Sequence, residues 1–238
     1  MRVLALETSG FSGSVAAAEN DLLLGEITLG PRQRTGQSLA PALRDLLAQV
    51  GWQPRDVQLV AVTQGPGSFT GLRVGVTTAK SFAYASGAAL IGVDTLEVLA
   101  EQVSADQKGE PLPTLAAVMN AEREQLFAAT FAVASTGGWQ MTEATRIVDR
   151  IKWIESIQPN MAVTGPGLES LAEILPSHIP RIDEPLWRPQ AAAVARIGLR
   201  DYLAGRRDNL WKLLPNYYRE SAAEEKISRE GAKLSFKF

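Results

Sequence analysis

The feature that most constrains the fold is a change of hydrophobic period within the N-terminal half. Residues 3–8, 14–18 and 22–29 are short apolar runs, separated by Ser9-Gly10-Phe11-Ser12-Gly13 and by Glu19-Asn20-Asp21. Apolar runs of this length between glycine, serine and asparagine clusters read as strands, and turns this short make an antiparallel meander. The period then becomes helical. Leu39, Leu43, Leu46, Leu47 and Val50 fall on one stripe, with Arg44, Asp45 and Gln49 elsewhere on the wheel. Pro41 suits the first turn of a helix that begins near Ala40, whereas an earlier start would place a kink there. Gly51 ends that helix. A strand over 57–63, a helix over 68–86, a strand over 88–93 and a helix over 95–103 follow. The order β-β-β-α-β-α-β-α defines an α/β protein.

Gly109-Glu110-Pro111-Leu112-Pro113 interrupts the pattern and marks a lobe boundary. The expected division is an N-terminal lobe over 1–108, a smaller C-terminal lobe over 109–215 and a charged tail over 216–238. That tail should pack back or remain partly disordered, since charge alternates along 219–233. In the second lobe, 114–119 and 125–133 read as paired strands, 148–157 as a helix, and 161–164 as a strand entering Gly165-Pro166-Gly167. Helices over 168–175 and 189–204 complete it, the latter with Pro189 in its first turn and Gly205 at its end. No tandem repeat is visible.

Composition removes several kinds of chemistry. Of 238 residues none is cysteine, which excludes disulfides, thiol nucleophiles and thiolate metal sites. His178, in Pro-Ser-His-Ile-Pro, is the one histidine, so no helical zinc pair exists and a Ser-His-Asp triad could arise only there. A surface or packing role suits it better. No Gly-x-x-x-x-Gly-Lys-Ser/Thr loop is present. Glu7 interrupts any export-type apolar run, and no stretch reaches the about 18–20 apolar residues that span a bilayer. A soluble, cytoplasmic protein with no membrane partner is expected. The formal net charge is −2, with Arg32, Arg34, Arg206 and Arg207 as small basic spots, so any RNA involved should be gripped by another protein.

The most distinctive segment is Gly65-Pro66-Gly67-Ser68-Phe69-Thr70-Gly71-Leu72-Arg73. A glycine turn feeding a helix N-terminus can offer free N–H groups to an anion. The same residues can equally be structural, Pro66 fixing a turn and Ser68 capping the helix. Beyond the turn, Gly71, Gly75, Ala79, Ala83 and Gly87 recur every fourth residue and leave one helix face almost without side chains. Glycine inside a helix costs about 0.5–1 kcal/mol relative to alanine, so a close backbone approach should offset it. The neighbour is either a partner helix or the protein's own sheet. Glu7 and Thr8 end the first strand before a glycine-serine turn, where nucleotide-binding folds of the actin-like ATPase type meet phosphates; a strand-end carboxylate is also commonly structural.

These segments together resemble the TsaB (YeaZ-like) family of glycoprotease homologues. The resemblance rests on Val3-Leu-Ala-Leu-Glu-Thr-Ser9, Arg34-Thr-Gly-Gln-Ser-Leu-Ala-Pro41, Thr63-Gln-Gly-Pro-Gly-Ser-Phe-Thr-Gly-Leu-Arg-Val-Gly75 and Ile91-Gly-Val-Asp-Thr-Leu96. Pro215-Asn-Tyr-Tyr-Arg219 and Ala223-Glu-Glu-Lys226 complete it. It implies a two-lobed actin/hexokinase/Hsp70-like (ribonuclease H-like) fold with mixed five-stranded sheets flanked by helices. It also implies a scaffold role in tRNA threonylcarbamoyladenosine synthesis. The partner would be TsaD, which carries the metal and transfers the threonylcarbamoyl group to the adenosine beside the anticodon. TsaE would act on the complex, TsaC would supply threonylcarbamoyl-adenylate, and the chain alone would form a homodimer. In TsaD the first helix carries a His-x-x-x-His pair. Arg32-Gln-Arg-Thr-Gly-Gln-Ser here has no histidine, so the chain resembles a degenerate paralogue and an inherited peptidase label would mislead.

By that resemblance the partner-binding residues are Leu39, Leu43, Leu46 and Leu47 on the first helix, with Phe69, Gly71, Leu72, Gly75, Val76, Ala79 and Ala83 on the second. Glu7, Thr8, Gly65 and Gly67 form a possible vestigial nucleotide site, at the inter-lobe cleft or the complex interface. No catalytic residue, metal or cofactor is assigned. The competing reading is a nucleotide-binding kinase or hydrolase using Glu7 and the 65–67 loop; a metallopeptidase is a distant third.

Overall fold

A computed structural model describes residues 1–30, 35–106, 112–135 and 137–218. The expected meander is present as β1 (Arg2–Glu7), β2 (Ser14–Glu19) and β3 (Leu22–Thr28), antiparallel with Leu4 opposite Ala17 and Ala17 opposite Gly25. Helix α1 (Thr35–Gln49) takes the earlier of the two starts that Pro41 leaves open, so Pro41 lies inside it. The carbonyl that loses its partner belongs to Gln37, which is exposed and can bond water instead. The chain returns through β4 (Leu59–Gly65), α2 (Phe69–Ser86) and β5 (Ala89–Asp94), with β4 parallel to both β1 and β5. The sheet order is β3-β2-β1-β4-β5.

After α3 (Thr95–Asp106) the plan is repeated. A second meander, β6 (Thr114–Asn120), β7 (Gln125–Val133) and β8 (Trp139–Asp149), is followed by α4 (Arg150–Ser156) and by β9 (Met161–Thr164), parallel to β6. The order β8-β7-β6-β9 reproduces β3-β2-β1-β4. Among the described residues this sheet has four strands, one fewer than expected. Gly165-Pro166-Gly167 and α5 (Leu168–Leu171) then stand where Gly65-Pro66-Gly67 and α2 stand in the first lobe. The duplication lies in topology, and the sequence shows no repeat.

Strand β8 was not anticipated, and the helix expected over 148–157 is shorter. Much of β8 is solvent-exposed on an outer edge, so selection for a clean apolar alternation is weak there. Its last residue, Asp149, caps α4 by accepting the amides of Ile151 and Lys152, each at 3.1 Å. The helix expected over 168–175 stops at Leu171, and α6 (Ala191–Leu203) begins two residues after Pro189.

Four apolar clusters hold the layers together. One face of the first sheet (Leu4, Leu6, Val60, Val62) packs on α1 and α2, and the other (Val3, Ala5, Leu59, Ala61) on α6. One face of the second sheet packs on Leu96, Leu99 and Val103 of α3, and the other on α4 and α5. The expected division at 108/109 is therefore not a division of the cores. Helix α3, N-terminal to it, serves the second sheet, while α6, beyond it, returns to the first. A boundary read from glycine and proline marks where the chain turns, which need not be where cores separate. The tail over 219–238 lies outside the described residues, as do Arg32 and Arg34. No helix among the described residues is long and apolar enough to cross a membrane.

Candidate functional site

The junction of β1 with α2 decides between the two readings of the small-residue face. A Cβ added to Gly71 would overlap the carbonyl oxygen of Thr8, and one added to Gly75 would overlap the Thr8 hydroxyl. Ala79 and Ala83 are buried in the same cluster as Leu4 and Val60. The smooth face thus lies on the protein's own first strand, and the sharper expectation of a partner helix on that face is corrected. The leucine stripe is mostly turned inward as well, although Leu43 and Leu47 also line the floor of the open groove between α1 and α2. Leu39, Leu43, Leu46, Leu47 and Val76 are all at most 6% exposed and belong to the same core, and Leu72 is buried too. Of the expected partner residues only Phe69 reaches the surface, at 37%. Each helix turns most of its apolar stripe to its own sheet.

The expected nucleotide residues are gathered at the same junction, but inward. Glu7 is fully buried. Its Oε1 accepts the Ser9 amide at 2.6 Å and the Ser9 hydroxyl, while Oε2 has no hydrogen-bond partner. Burial is the largest influence and raises the carboxyl to about 7, against the lowering by the Ser9 donors, the Gly10 amide and Thr63. The glycine turn is equally occupied. A Cβ on Gly67 would meet the Ser9 carbonyl oxygen at 2.5 Å, the Ser68 amide donates to that oxygen at 2.8 Å, and Ser68 Oγ accepts the Gly71 amide at 3.3 Å. A Cβ on Gly65 would lie 2.8 Å from the Asn216 carbonyl oxygen. These donors satisfy the chain itself, as the structural reading of this turn holds, and Glu7 cannot touch a ligand unless the Ser9–Gly10 turn moves.

Two open surfaces among the described residues adjoin these helices. A cleft of about 1090 Å³ lies between the two duplicated turns, lined by Ser9, Gly10, Ser68 and Thr70 on one side and by Asn120, Pro166 and Glu169 on the other. Phe11 stands at its rim, 88% exposed. Further along the same two helices, a groove of about 600 Å³ runs between α1 and α2, lined by Ala40, Leu43, Arg44, Leu47, Ala48, Trp52, Ser81 and Phe82. Sequence reasoning missed Trp52, Ser81 and Phe82. Trp52 follows the Gly51 helix stop and falls outside any periodic pattern. Ser81 lies on the side of α2 facing away from the glycines, whereas Phe82, seven residues beyond Gly75, borders their face and is partly buried against the core.

A family model described as "TsaD: tRNA N6-adenosine threonylcarbamoyltransferase" matches residues 32–173, more than half of the chain. The chain belongs to the TsaD-type family. Within it the similarity is to TsaB, also called YeaZ. The Escherichia coli (strain K12) tRNA threonylcarbamoyladenosine biosynthesis protein TsaB is 31% identical over 148 residues, 62% of each chain. The Bacillus subtilis (strain 168) protein of the same description is 33% identical over 100 residues, 42% of this chain and 44% of that one. The matched region thus spans less than two thirds of either relative. A solved Pseudomonas aeruginosa structure, described as an uncharacterized protein with similarity to peptidase YEAZ, superposes with a TM-score of 0.78. It covers 92% of this chain and 99% of that one at 23% identity, and so shows a shared fold. The family match includes both exposed walls of the groove, since α1, Trp52 and α2 all lie within 32–173.

Proposed function

We propose that this chain is a non-catalytic subunit supporting threonylcarbamoyl transfer to the adenosine beside the tRNA anticodon, by binding and ordering a TsaD-type transferase. The observation that carries this reading is the apolar groove between α1 and α2. Apolar surface left open between two helices whose inner faces are already committed to a core is what a docked partner helix would cover. Family membership and the TsaB-named relatives support the pathway. The single histidine supports the non-catalytic role, because a His-x-x-x-His metal pair cannot be built from this sequence. In this reading the chain is cytoplasmic, self-associates through the same groove when alone, meets TsaE on the complex and contacts tRNA only through the complex.

The test is co-purification with the TsaD-type transferase of the same cell. Ser81→Trp and Ala48→Arg place bulk and charge on exposed groove positions without entering the core. Both variants should keep the wild-type melting temperature and lose the transferase, with about a tenfold or greater fall in affinity. Undiminished capture by both would remove the groove as the interface. The kinase or hydrolase reading predicts ATP turnover by the isolated chain that Glu7→Ala abolishes, and no observation here favours it.

A further inference from the structure

Residues 206–218 cross the free edge of the first sheet without regular secondary structure, and Leu213 is their one buried side chain. Their anchors follow one another along the path. The Asp208 amide donates to the Leu90 carbonyl at 3.2 Å, and its carboxylate accepts the Gly92 amide at 2.8 Å. Lys80 of α2 donates to the carbonyls of Trp211 and Leu213 at 3.3 and 3.1 Å. The Asn216 amide donates to the Gln64 carbonyl at 2.6 Å. Tyr217 accepts Arg73 Nε at 2.8 Å and lies with its ring 5.0 Å from that of Phe69.

The last described residue reaches both sheets. Tyr218 donates its hydroxyl to Asp94 Oδ2 at 3.2 Å, and its ring lies 5.7 Å from Phe127 of β7. Asp94 ends β5, accepts the amides of Leu96 and Glu97 that open α3, and accepts the hydroxyl of Thr145 on β8 at 3.0 and 3.1 Å. One carboxylate therefore gathers the first sheet, α3, the second sheet and the strap. Three of the sequence segments that carry the family resemblance, around Phe69 and Arg73, around Asp94 and around Tyr217 and Tyr218, meet along this path.

We propose that residues 206–218 form a latch that couples closure of the sheet edge to the relative orientation of the two sheets, with Asp94 as the shared acceptor. A segment with one buried side chain opens at a lower free energy than the strands that it crosses. When it opens, Asp94 loses the Tyr218 donor; when the second sheet tilts away, Asp94 loses the Thr145 donor. Thr145 and Tyr218 each hold the Asp94 side chain in the one orientation that the other donor needs, so either contact orders the carboxylate for the other, and the coupling is positive and reciprocal. The latch also carries Tyr217 onto Phe69, so its state alters the surface at the N-terminus of α2.

Amide hydrogen exchange on the full chain tests this. Thr145→Val keeps the shape of the β8 side chain and removes only its hydroxyl. It should accelerate exchange at Gly92 and Asn216 roughly five- to tenfold, while the amides of Leu4 and Val62, central in the first sheet, keep their rates. Leu213→Ala should act in the opposite direction and accelerate exchange along β8 around Arg146. Tyr218→Phe, which retains the ring beside Phe127, should produce both effects. Acceleration confined to the mutated element, uniform acceleration of every amide, or no change at the far end would each overturn the latch.

Discussion

Gly71→Leu is expected to destabilise the first lobe itself rather than merely to release a partner. Even the Cβ overlaps the Thr8 carbonyl oxygen, and backbone cannot rotate aside as a side chain can. Overpacking typically costs 1–3 kcal/mol and more when the neighbour is fixed, so a loss of at least about 3 kcal/mol is expected. The gain in helix propensity on replacing glycine, about 0.5–1 kcal/mol, does not offset it. In a chain of this size each kcal/mol moves the melting temperature by roughly 2–4 °C, so a fall of about 6–12 °C should be seen by calorimetry. Gly75 behaves differently, because its obstacle is the Thr8 side chain, whose hydroxyl is buried without a partner. Thr8→Ala should therefore restore much of the stability lost in Gly75→Ala, a coupling that a double-mutant cycle reads directly. Additive losses would show that the two residues do not oppose each other. A consequence for interface mapping follows. A Gly75 variant that fails to capture a transferase would report a damaged fold, whereas Ser81 and Ala48 variants report the surface.

The second large effect concerns Glu7 and pH. Its carboxyl, raised from 4.5 to about 7 by burial, keeps its proton in the folded chain over a range where the unfolded chain has released it. Stability contributed by the neutral form is complete below about 4.5 and is lost as pH rises through about 7. At 1.36 kcal/mol per unit the loss approaches roughly 3 kcal/mol. Glu7→Gln has the shape of the neutral acid and does not titrate. It should therefore be more stable than the parent by about 2–3 kcal/mol near pH 8.5, with the difference shrinking towards zero near pH 4.5. Denaturant midpoints across that range are the measurement, and parallel curves for the two proteins would show that Glu7 does not titrate as described. A carboxyl held this way serves the β1 turn through Ser9, in keeping with its inward orientation.

Much of the first lobe was legible in order. Three strands, a leucine-striped helix, a buried strand and a glycine-led helix all follow from local period and turn chemistry, and the helix over 68–86 is placed within a residue. Pro41 alone leaves the start of α1 open because proline's cost depends on whether the orphaned carbonyl can reach water, and exposure at Gln37 is not written locally. In the second lobe β8 went unread, since an exposed edge strand needs no apolar alternation.

By itself the sequence determined the element order of the first lobe, the glycine-serine helix entry, the absence of any histidine pair and the resemblance that the family match then placed. Only the tertiary structure decided what the small-residue face of α2 meets. Periodicity specifies that a face exists and that something must approach it closely, but the neighbour is Thr8, at the far end of a separate strand. The same holds for Asp94, Thr145 and Tyr218, which lie apart in sequence and share one carboxylate. Local pattern fixes which side of an element is apolar; the packing of distant elements fixes what that side touches, and so which surface is left for a partner.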